Sequence, residues 1–389
     1  MIKEEKVMKR LVLIPLMVVL AAVLVFTGCA QQAAPAPGQA TVLNPAPAPQ
    51  GPQTITAQTQ APAPSAPAAK PGKIYYLKFN DWGPSAITIG KLHIQAAEMI
   101  EERTGGKVIV TNYFNQSLLK YGDTFRGISA GIADLSLYVI GATQGVHDIN
   151  QAIALPFMGL PDMPSGTKIY NELRQKFPEL DRENTKANAK WLTVRMMPPT
   201  QLHLVKRFAA LPDDLKGMKV IAGASLVDML SQVGAAGVMM GPPDWYMSLE
   251  RGLVEGQFVH WPAVYDFHTL ELFKFHTLYG DGGIQMSPIG FMANLDSWNQ
   301  IPAEYQKIIV DVYQWVNDES TTADLDLIDK AVKAARDWGH ISDYLTPEEI
   351  QLWAKLVEPY HQSWIADATA KGWPAQQVYD GLKQIVAKY

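Results

Sequence analysis

Short apolar runs alternate with amphipathic stretches between residues 206 and 267. Three mostly apolar segments, 219–222, 238–240 and 258–261, have the length and character of buried strands. The stretch between the first two carries apolar side chains at helical spacing, and a second short helix is predicted to run to Leu249. This alternation of strands and helices predicts an α/β lobe with a mainly parallel sheet.

Each predicted strand of this lobe ends in a polar or turn-forming segment. Ser225 and Asp244 are each predicted to cap the helix that follows. Ligands bind at the carboxyl ends of parallel strands, so these ends predict a binding site. They are Ala224-Ser225, Gly241-Pro242 and His260-Trp261-Pro262.

The same alternation occupies the preceding part of the chain. Predicted strands cover 74–79, 108–114, 134–139 and 191–196, with predicted helices over 90–103, 123–130 and 167–177. Residues 74–196 therefore form a predicted first α/β lobe. Residues 302–338 keep helical periodicity without internal Gly or Pro, which predicts one helix of about 50 Å that could brace both lobes.

Composition excludes several classes of function. The 389 residues have a formal net charge of −5 and show no basic stripe, which argues against a nucleic-acid partner. The single cysteine, Cys29, excludes an internal disulfide framework and a cysteine-ligated zinc site.

No motif indicates an enzyme, a cofactor or a metal. The G-x-S-x-G match at 127–131 has a predicted helix before it and a strand after it, the reverse of a nucleophile elbow. The histidines form no H-E-x-x-H motif, and no phosphate-binding glycine motif is present. We therefore expect a protein that is not an enzyme and uses no cofactor.

The first 29 residues resemble a bacterial lipoprotein signal. A basic leader precedes an apolar run over 11–26, which is shorter than the roughly 20 residues of a spanning helix. Phe26-Thr27-Gly28-Cys29 resembles the lipobox, with Phe26 in place of the usual leucine. We expect a signal peptide over 1–28 and a lipid on Cys29. The alternative is an uncleaved anchor helix.

Residues 29–72 have the composition of a tether. Ala, Pro, Gln and Thr dominate, ten prolines fall between residues 30 and 72, and no charge precedes Lys70. Such a segment cannot bury a core, so we expect a disordered linker between the lipid anchor and the folded lobes.

Aromatic and methionine side chains cluster near the predicted strand ends. For most of them core packing is the expected role. Trp82 and Trp261 have polar, turn-like neighbours, which makes them candidates for the apolar wall of a ligand cleft. Tyr138 is a further candidate near a strand end.

From residue 73 to about 338 the chain resembles the dicarboxylate-binding (DctP-like) solute-binding proteins of TRAP (tripartite ATP-independent periplasmic) transporters. The segment 211–219 (LPDDLKGMK) is very close to the family pattern P-x-D-L-K-G-x-K. Weaker matches are 101–108, 127–134, 154–157, 246–256 and 294–302.

The resemblance implies a two-lobed periplasmic-binding-protein fold of the α/β class, with hinge strands and a long bracing helix near the C-terminus. It implies a first lobe over 73–197 and a second over 198–285, with 286–389 returning to the first lobe. It also implies capture of a small organic acid and its delivery to TRAP membrane permease subunits, at the periplasm or the outer face of the cell membrane. No bond is made or broken.

The carboxylate clamp of the family departs from its pattern here. The clamp arginine expected after the L-K-G-x-K segment is replaced by Ile221, and a second family arginine corresponds to Gln201. An alternative alignment places Arg195 or His203 near the site instead. A frequent family asparagine corresponds to Val259. The resemblance thus implies a cleft with less charge and more apolar surface.

Two ligand hypotheses follow. In the first, the ligand is an aromatic or branched monocarboxylate held by Arg195 with Gln201, His203 or a backbone nest, its body against Trp82 or Trp261. In the second, the ligand is uncharged. Two other functions remain open: a sensor lipoprotein that presents its ligand to a receptor, and an ABC-type binding protein.

Overall fold

The computed structural model describes residues 72–143 and 145–389. The predicted signal peptide, most of the predicted linker and Cys29 lie outside these ranges. Among the helices of these ranges, none combines the length and the apolar character that crossing a bilayer requires.

The described residues contain eleven strands and eleven α-helices, together with short 3-10 turns and loops. The strands are β1 (Tyr75–Asn80), β2 (Val108–Tyr113), β3 (Leu135–Val139), β4 (Ala189–Met196), β5 (Gln201–Leu204), β6 (Lys219–Ile221), β7 (Ala236–Val238), β8 (Gly256–Val259), β9 (Phe275–Leu278), β10 (Pro288–Asn294) and β11 (Ile341–Tyr344). The helices are α1 (Thr88–Arg103), α2 (Thr124–Ser129), α3 (Met163–Lys176), α4 (Glu179–Lys186), α5 (Ala224–Gln232), α6 (Trp245–Glu250), α7 (Trp261–Asp266), α8 (Leu295–Asn299), α9 (Ala303–Asp337), α10 (Pro347–Ala370) and α11 (Ala375–Val386).

The first sheet has five strands in the order β2-β1-β3-β10-β4. Strand β1 is parallel to β2 and β3, whereas β10 is antiparallel to both of its neighbours. All five residues of β3 are buried, as expected of a central strand covered on both faces. Helix α1 packs beside this sheet through His93, Ala96 and Ile100, which share one helical face.

The second sheet has six strands in the order β11-β9-β5-β8-β6-β7. The parallel set β8-β6-β7 comes from the alternating stretch identified in the sequence. The expectation of a mainly parallel sheet is only partly right, because β5 is antiparallel to both β8 and β9. The strands β5 and β9 carry the chain into and out of this lobe, so they run in opposite directions.

Two chain segments, 197–200 and 285–287, connect the sheets and are hydrogen-bonded to each other. Met197 N donates to Ser287 O, and Thr200 N donates to Gln285 O, both at 2.9 Å. Gly283 has φ +62°, and a Cβ there would lie 2.4 Å from Thr200 O, so this close approach requires glycine. The paired segments form the hinge that the resemblance implied.

Helix α9 has 35 residues and touches both lobes, as the uninterrupted periodicity predicted. It packs against α1 and β4 on the first lobe and against α7 and β11 on the second. The C-terminal segment that follows also contributes to both lobes. Strand β11 extends the second sheet, Trp353 lies in the core of the second lobe, and Trp364 lies in the core of the first.

The predicted helix caps need correction. Helix α5 begins at Ala224 after Gly223, and the Ser225 hydroxyl donates to Gln285 Oε1 at 2.7 Å instead of capping. Asp244 precedes α6 but its side chain accepts no capping hydrogen bond. The α/β class and the two-lobed architecture are confirmed.

Candidate ligand cleft

A cleft of about 410 Å³ lies between the two lobes and the hinge segments. Its size is in the range of small-molecule sites. Most of its wall is apolar, and side chains of both lobes and of the hinge contribute. The apolar lining residues include Trp82, Ile87, Val139, Ile140, Met197, Ile221, Met239, Met240, Trp245, Phe258, Val259 and Ile289.

The strand ends singled out in the sequence do face this cleft. Ser225, Gly241, Pro242, His260 and Pro262 all line it. They follow β6, β7 and β8, the parallel set of the second sheet. The rule that ligands occupy the carboxyl ends of parallel strands therefore locates this wall correctly.

Trp82 forms part of the wall on the first lobe, and a buried Asp81–His93 hydrogen bond holds the turn that carries it. Asp81 Oδ1 accepts a hydrogen bond from Gly83 N at 2.8 Å, and Asp81 Oδ2 lies 2.6 Å from His93 Nδ1. The Trp82 ring meets Tyr121 edge-on, with centroids 5.3 Å apart. Its indole N–H is buried and has no partner among the described residues.

Arg195 lines the cleft at the end of β4, where it forms an ion pair. Its Nη1 lies 2.7 Å from Oδ2 of Asp324, which projects from the long helix α9 and also lines the cleft. The two side chains are only 6% and 14% exposed. Burial raises the pKa of Asp324, and the Arg195 guanidinium partly opposes that rise.

Two further polar side chains of the wall are buried without a partner. Neither amide atom of Gln257 has a hydrogen-bond partner among the described residues, and the same holds for Ser320 Oγ. Gln257 lies beside Ile221 in the register of β8 and β6. An unpaired buried polar group costs about 1–3 kcal/mol, so these atoms are suited to ligand or water contacts.

His260 and Asp266 are further polar residues of the wall. His260 Nδ1 accepts a hydrogen bond from Ala263 N at 3.2 Å, which leaves its proton on Nε2. Burial, together with nearby Arg195 and His203, lowers the pKa of His260 to about 3, so its ring is neutral. Burial raises the pKa of Asp266, against the effect of hydrogen bonds from Thr88.

Two of the predicted ligand contacts lie in the core of the protein. Tyr138 is fully buried, and its hydroxyl lies 2.9 Å from His147 Nε2. Trp261 packs between His203 and His276, with ring centroids 4.8 and 4.6 Å away. Neither side chain is among the residues that line the cleft.

Gln201 and His203 also lie off the cleft, because their polar atoms bond to other parts of the second lobe. Gln201 accepts from Tyr279 N at 2.8 Å and donates to Gly280 O at 3.1 Å, which fastens the start of the returning hinge segment. His203 Nδ1 lies 2.7 Å from His276 Nδ1. Of the six predicted ligand residues, the structure brings Trp82 and Arg195 to the cleft.

The sequence reasoning missed Asp324, Asp266, Gln257 and Ser320. One signal for two of them was available in helix α9. Asn317, Ser320 and Asp324 follow one another at spacings of three and four, so they form a polar stripe on one helical face. Asn317 and Ser320 are buried, and Ser320 and Asp324 line the cleft. A polar stripe on the inner face of a helix therefore indicated which face of α9 lies at a polar site.

No group of acidic, histidine or cysteine side chains in the described residues is arranged to hold a metal ion. The polar groups of the cleft wall include the Arg195–Asp324 ion pair, the Gln257 amide, the Ser320 hydroxyl and the Trp82 indole N–H.

Solved structures with this fold come from several bacteria. A TRAP solute-binding protein from Rhodoferax ferrireducens, in complex with copurified benzoate, is 20% identical over 80% of this chain and 98% of that chain, with a TM-score of 0.70. A marine metagenome TRAP solute-binding protein specific for aromatic acid ligands, in complex with metahydroxyphenylacetate, is 24% identical over 81% and 99% of the two chains, with a TM-score of 0.70. A protein from Bordetella bronchiseptica with bound mandelate is 16% identical over 80% and 99%, with a TM-score of 0.69.

The family was identified from the sequence as well. Residues 81–367 match the family model DctP, described as bacterial extracellular solute-binding protein, family 7. This match spans well over half of the chain and includes the second sheet, all strands of the first sheet except β1, the hinge and the long helix. The chain therefore belongs to the DctP family of bacterial extracellular solute-binding proteins.

Proposed function

We propose that this protein is the solute-binding subunit of a TRAP transporter and that its ligand is an aromatic or branched monocarboxylate. The observation that carries the ligand class is Arg195, a buried cation in a mostly apolar cleft. A guanidinium offers a carboxylate two parallel hydrogen bonds, and apolar walls favour an apolar ligand body. The ligands of the three compared proteins are aromatic acids, whereas other solved structures of this fold hold D-glucuronate or pyroglutamate, so the feature that these ligands share is a carboxylate.

The mechanism is capture without chemistry. The ligand enters between the lobes, its carboxylate contacts Arg195 and its body packs against Trp82. Closure about the paired hinge segments then excludes water, and the closed form is the one delivered to the permease. A ligand that contacts both lobes stabilises the closed form by its difference in affinity for the two states.

Calorimetry tests the ligand class. Benzoate, mandelate and a branched 2-oxo acid are titrated into the purified protein, with benzamide as a neutral analogue of benzoate. We expect at least one acid to bind, and benzamide to bind at least tenfold more weakly than benzoate. Tighter binding of benzamide would contradict the carboxylate assignment and favour the hypothesis of an uncharged ligand.

Variants of Arg195 test its role. Arg195→Lys retains the positive charge but loses the planar guanidinium and its two parallel N–H donors. We therefore expect acid binding to weaken about tenfold or more. Arg182→Lys on α4 is the matched control, because Arg182 is exposed in a surface ion pair with Glu179. Acid affinity that is unchanged in both Arg195→Lys and Arg195→Ala would show that another group holds the carboxylate.

We also propose that the protein is exported and anchored through a lipid on Cys29. The basic leader, the short apolar run and the Phe26-Thr27-Gly28-Cys29 segment support this. Mass spectrometry of the envelope-bound protein should find an N-terminal Cys29 with a diacylglyceryl group. We expect Cys29→Ser to remain at full precursor length. A mature protein with an unmodified Cys29 would rule the anchor out.

A further inference from the structure

The one buried cation of the cleft wall among the described residues already has a counter-ion. Asp324 Oδ2 lies 2.7 Å from Arg195 Nη1, and both side chains line the cleft. Nη1 also approaches the Met196 carbonyl at 3.3 Å. A ligand carboxylate that binds Arg195 therefore comes into contact with a guanidinium that is already neutralised.

The surroundings of Asp324 supply no second cation. Asp266 faces it from α7 and adds negative charge. His260, at the start of the same helix, is a neutral ring whose Nδ1 accepts a backbone hydrogen bond. Ser320 contributes a hydroxyl from the same helix as Asp324, and Lys120 lines the cleft with an exposed side chain. Arg195 is thus the single buried positive charge of the wall beside Asp324, Asp266 and the carboxylate of a bound ligand.

Two ionised carboxylates in one buried site repel each other, so keeping both ionised is unfavourable in free energy. Like charges a few ångströms apart raise the pKa of one member strongly, and burial disfavours each charge further. The arrangement of lowest free energy pairs one ionised carboxylate with the guanidinium. The other carboxyl group is protonated, and it donates a hydrogen bond to that carboxylate. In this arrangement, the buried charge is the same before and after binding.

We propose that Asp324 determines specificity as a built-in counter-ion, and that a monocarboxylate binds to Arg195 together with one proton, which the Asp324 carboxyl and the ligand carboxyl share. This inference rests on the proposed function, because it concerns the same cleft and the same ligand class. The proton comes from solvent and returns there on release. Asp324 thus makes acid capture dependent on pH, and it penalises ligands with two carboxylates.

Calorimetry with benzoate and mandelate tests the inference between pH 6 and pH 9. Each titration is run in phosphate and in Tris, whose ionisation enthalpies differ, so that the heat reveals the number of protons taken up. We expect uptake to rise toward one proton per ligand as the pH increases. In the pH range where Asp324 is ionised in the free protein, the apparent affinity should fall about tenfold per pH unit.

Asp324→Asn keeps the shape of the side chain and removes its charge. We expect this variant to bind benzoate with no proton uptake, with an affinity that is constant from pH 6 to pH 9 and at least tenfold higher than that of the natural protein at pH 9. Asp326→Asn is the matched control on the same helix, because Asp326 is 61% exposed and pairs with Lys330. Its proton uptake should equal that of the natural protein.

Three results would overturn the inference. The first is acid binding without proton uptake up to pH 9, which leaves the proposed function intact. The second is unchanged pH dependence in Asp324→Asn, which would assign the proton to another group. The third is the absence of acid binding to both the natural protein and a folded Asp324→Asn, which would overturn the proposed ligand class as well. Thermal melts of both variants establish that they are folded.

Discussion

Asp266 of the second lobe accepts two hydrogen bonds from Thr88 of the first. Thr88 N donates to Asp266 Oδ2 and Thr88 Oγ1 donates to Asp266 Oδ1, both at 3.2 Å. Asp266 ends α7 and Thr88 begins α1, so the contact joins the two lobes. Because both residues line the cleft, the contact also closes one side of it.

Asp266→Ala should therefore favour the open form. Hydrogen bonds to a charged group contribute about 1.5–3 kcal/mol, so we expect acid affinity to fall roughly tenfold or more. Small-angle X-ray scattering should show a larger radius of gyration without ligand. Glu98→Ala, an exposed change on α1, is the control. An unchanged radius and affinity would mean that the Thr88 contact does not hold the lobes together.

Trp82 should contribute to affinity as an apolar wall. Trp82→Ala removes a large aromatic surface, and we expect the affinity for aromatic acids to fall about tenfold or more. Trp82→Phe keeps most of that surface and loses the unpaired N–H, so it separates the two contributions. Trp338→Ala is the control, because Trp338 is 54% exposed and lies off the cleft. Equal affinity in Trp82→Ala would place the ligand elsewhere.

Glu183 should anchor the loop that follows β3. This buried carboxylate accepts hydrogen bonds from the backbone N–H groups of Asp148, Ile149 and Asn150, and lies 3.2 Å from His147 Nδ1. Burial alone would raise its pKa, but these bonds outweigh burial and the pKa is lowered. The stability it supplies is present above pH 4.5 and is lost as the pH falls.

Glu183→Ala leaves several buried donors without an acceptor, so we expect the free energy of unfolding to fall by about 3–5 kcal/mol. Urea denaturation at pH 7 measures this. Glu179→Ala on the same helix removes a partly exposed surface ion pair, so it should change stability by less than about 1 kcal/mol. Equal losses in the two variants would contradict the anchoring role.

Three histidines of the second lobe should make stability fall in acid. His203, His276 and His340 lie in a hydrogen-bonded row, with nitrogen–nitrogen distances of 2.7 and 3.1 Å. Burial lowers the pKa of His203 to about 3 and that of His276 to about 2, and it also lowers that of His340. In the unfolded chain each ring takes up a proton near pH 6.5.

The unfolded state therefore binds more protons than the folded state below pH 6.5. We expect the free energy of unfolding to be at its full value above that pH and to fall below it, by up to about 1.4 kcal/mol per pH unit for each histidine. Urea denaturation between pH 4.5 and pH 7.5 measures the slope. His276→Asn should reduce this slope by the contribution of one histidine. Replacement of the exposed His268 by Asn should leave the slope unchanged. A slope that His276→Asn leaves unchanged would contradict this assignment.

Much of the fold could be predicted because it depends on local patterns. Apolar runs and helical spacing revealed β1, β2, β3 and the long helix α9, and the strand ends of the second lobe pointed to the correct wall. Strand β5 was missed. Its four residues, Gln201 to Leu204, are all buried, yet two of them are polar, so they show neither an apolar run nor an exposed face.

The site was harder to predict because its contacts join distant parts of the chain. Gln201 and His203 are polar residues in a buried strand, a pattern that suits a ligand site as well as a core hydrogen bond. Their partners, His276 and Tyr279, come 73 and 78 residues later in the sequence. The Arg195–Asp324 pair depends on how α9 packs against β4, which no local pattern contains.

The pairing of β4 with β10 has a consequence for how the protein folds. Met196 pairs with Pro288, so these strands would form a simple hairpin if the roughly 90 residues between them were absent. Their pairing must overcome the entropy of closing that long loop. The strands β5 to β9 lie within the loop and bring its ends together once they pair. We therefore expect the second lobe to form early and the first sheet to be completed late, with β10 as its last strand.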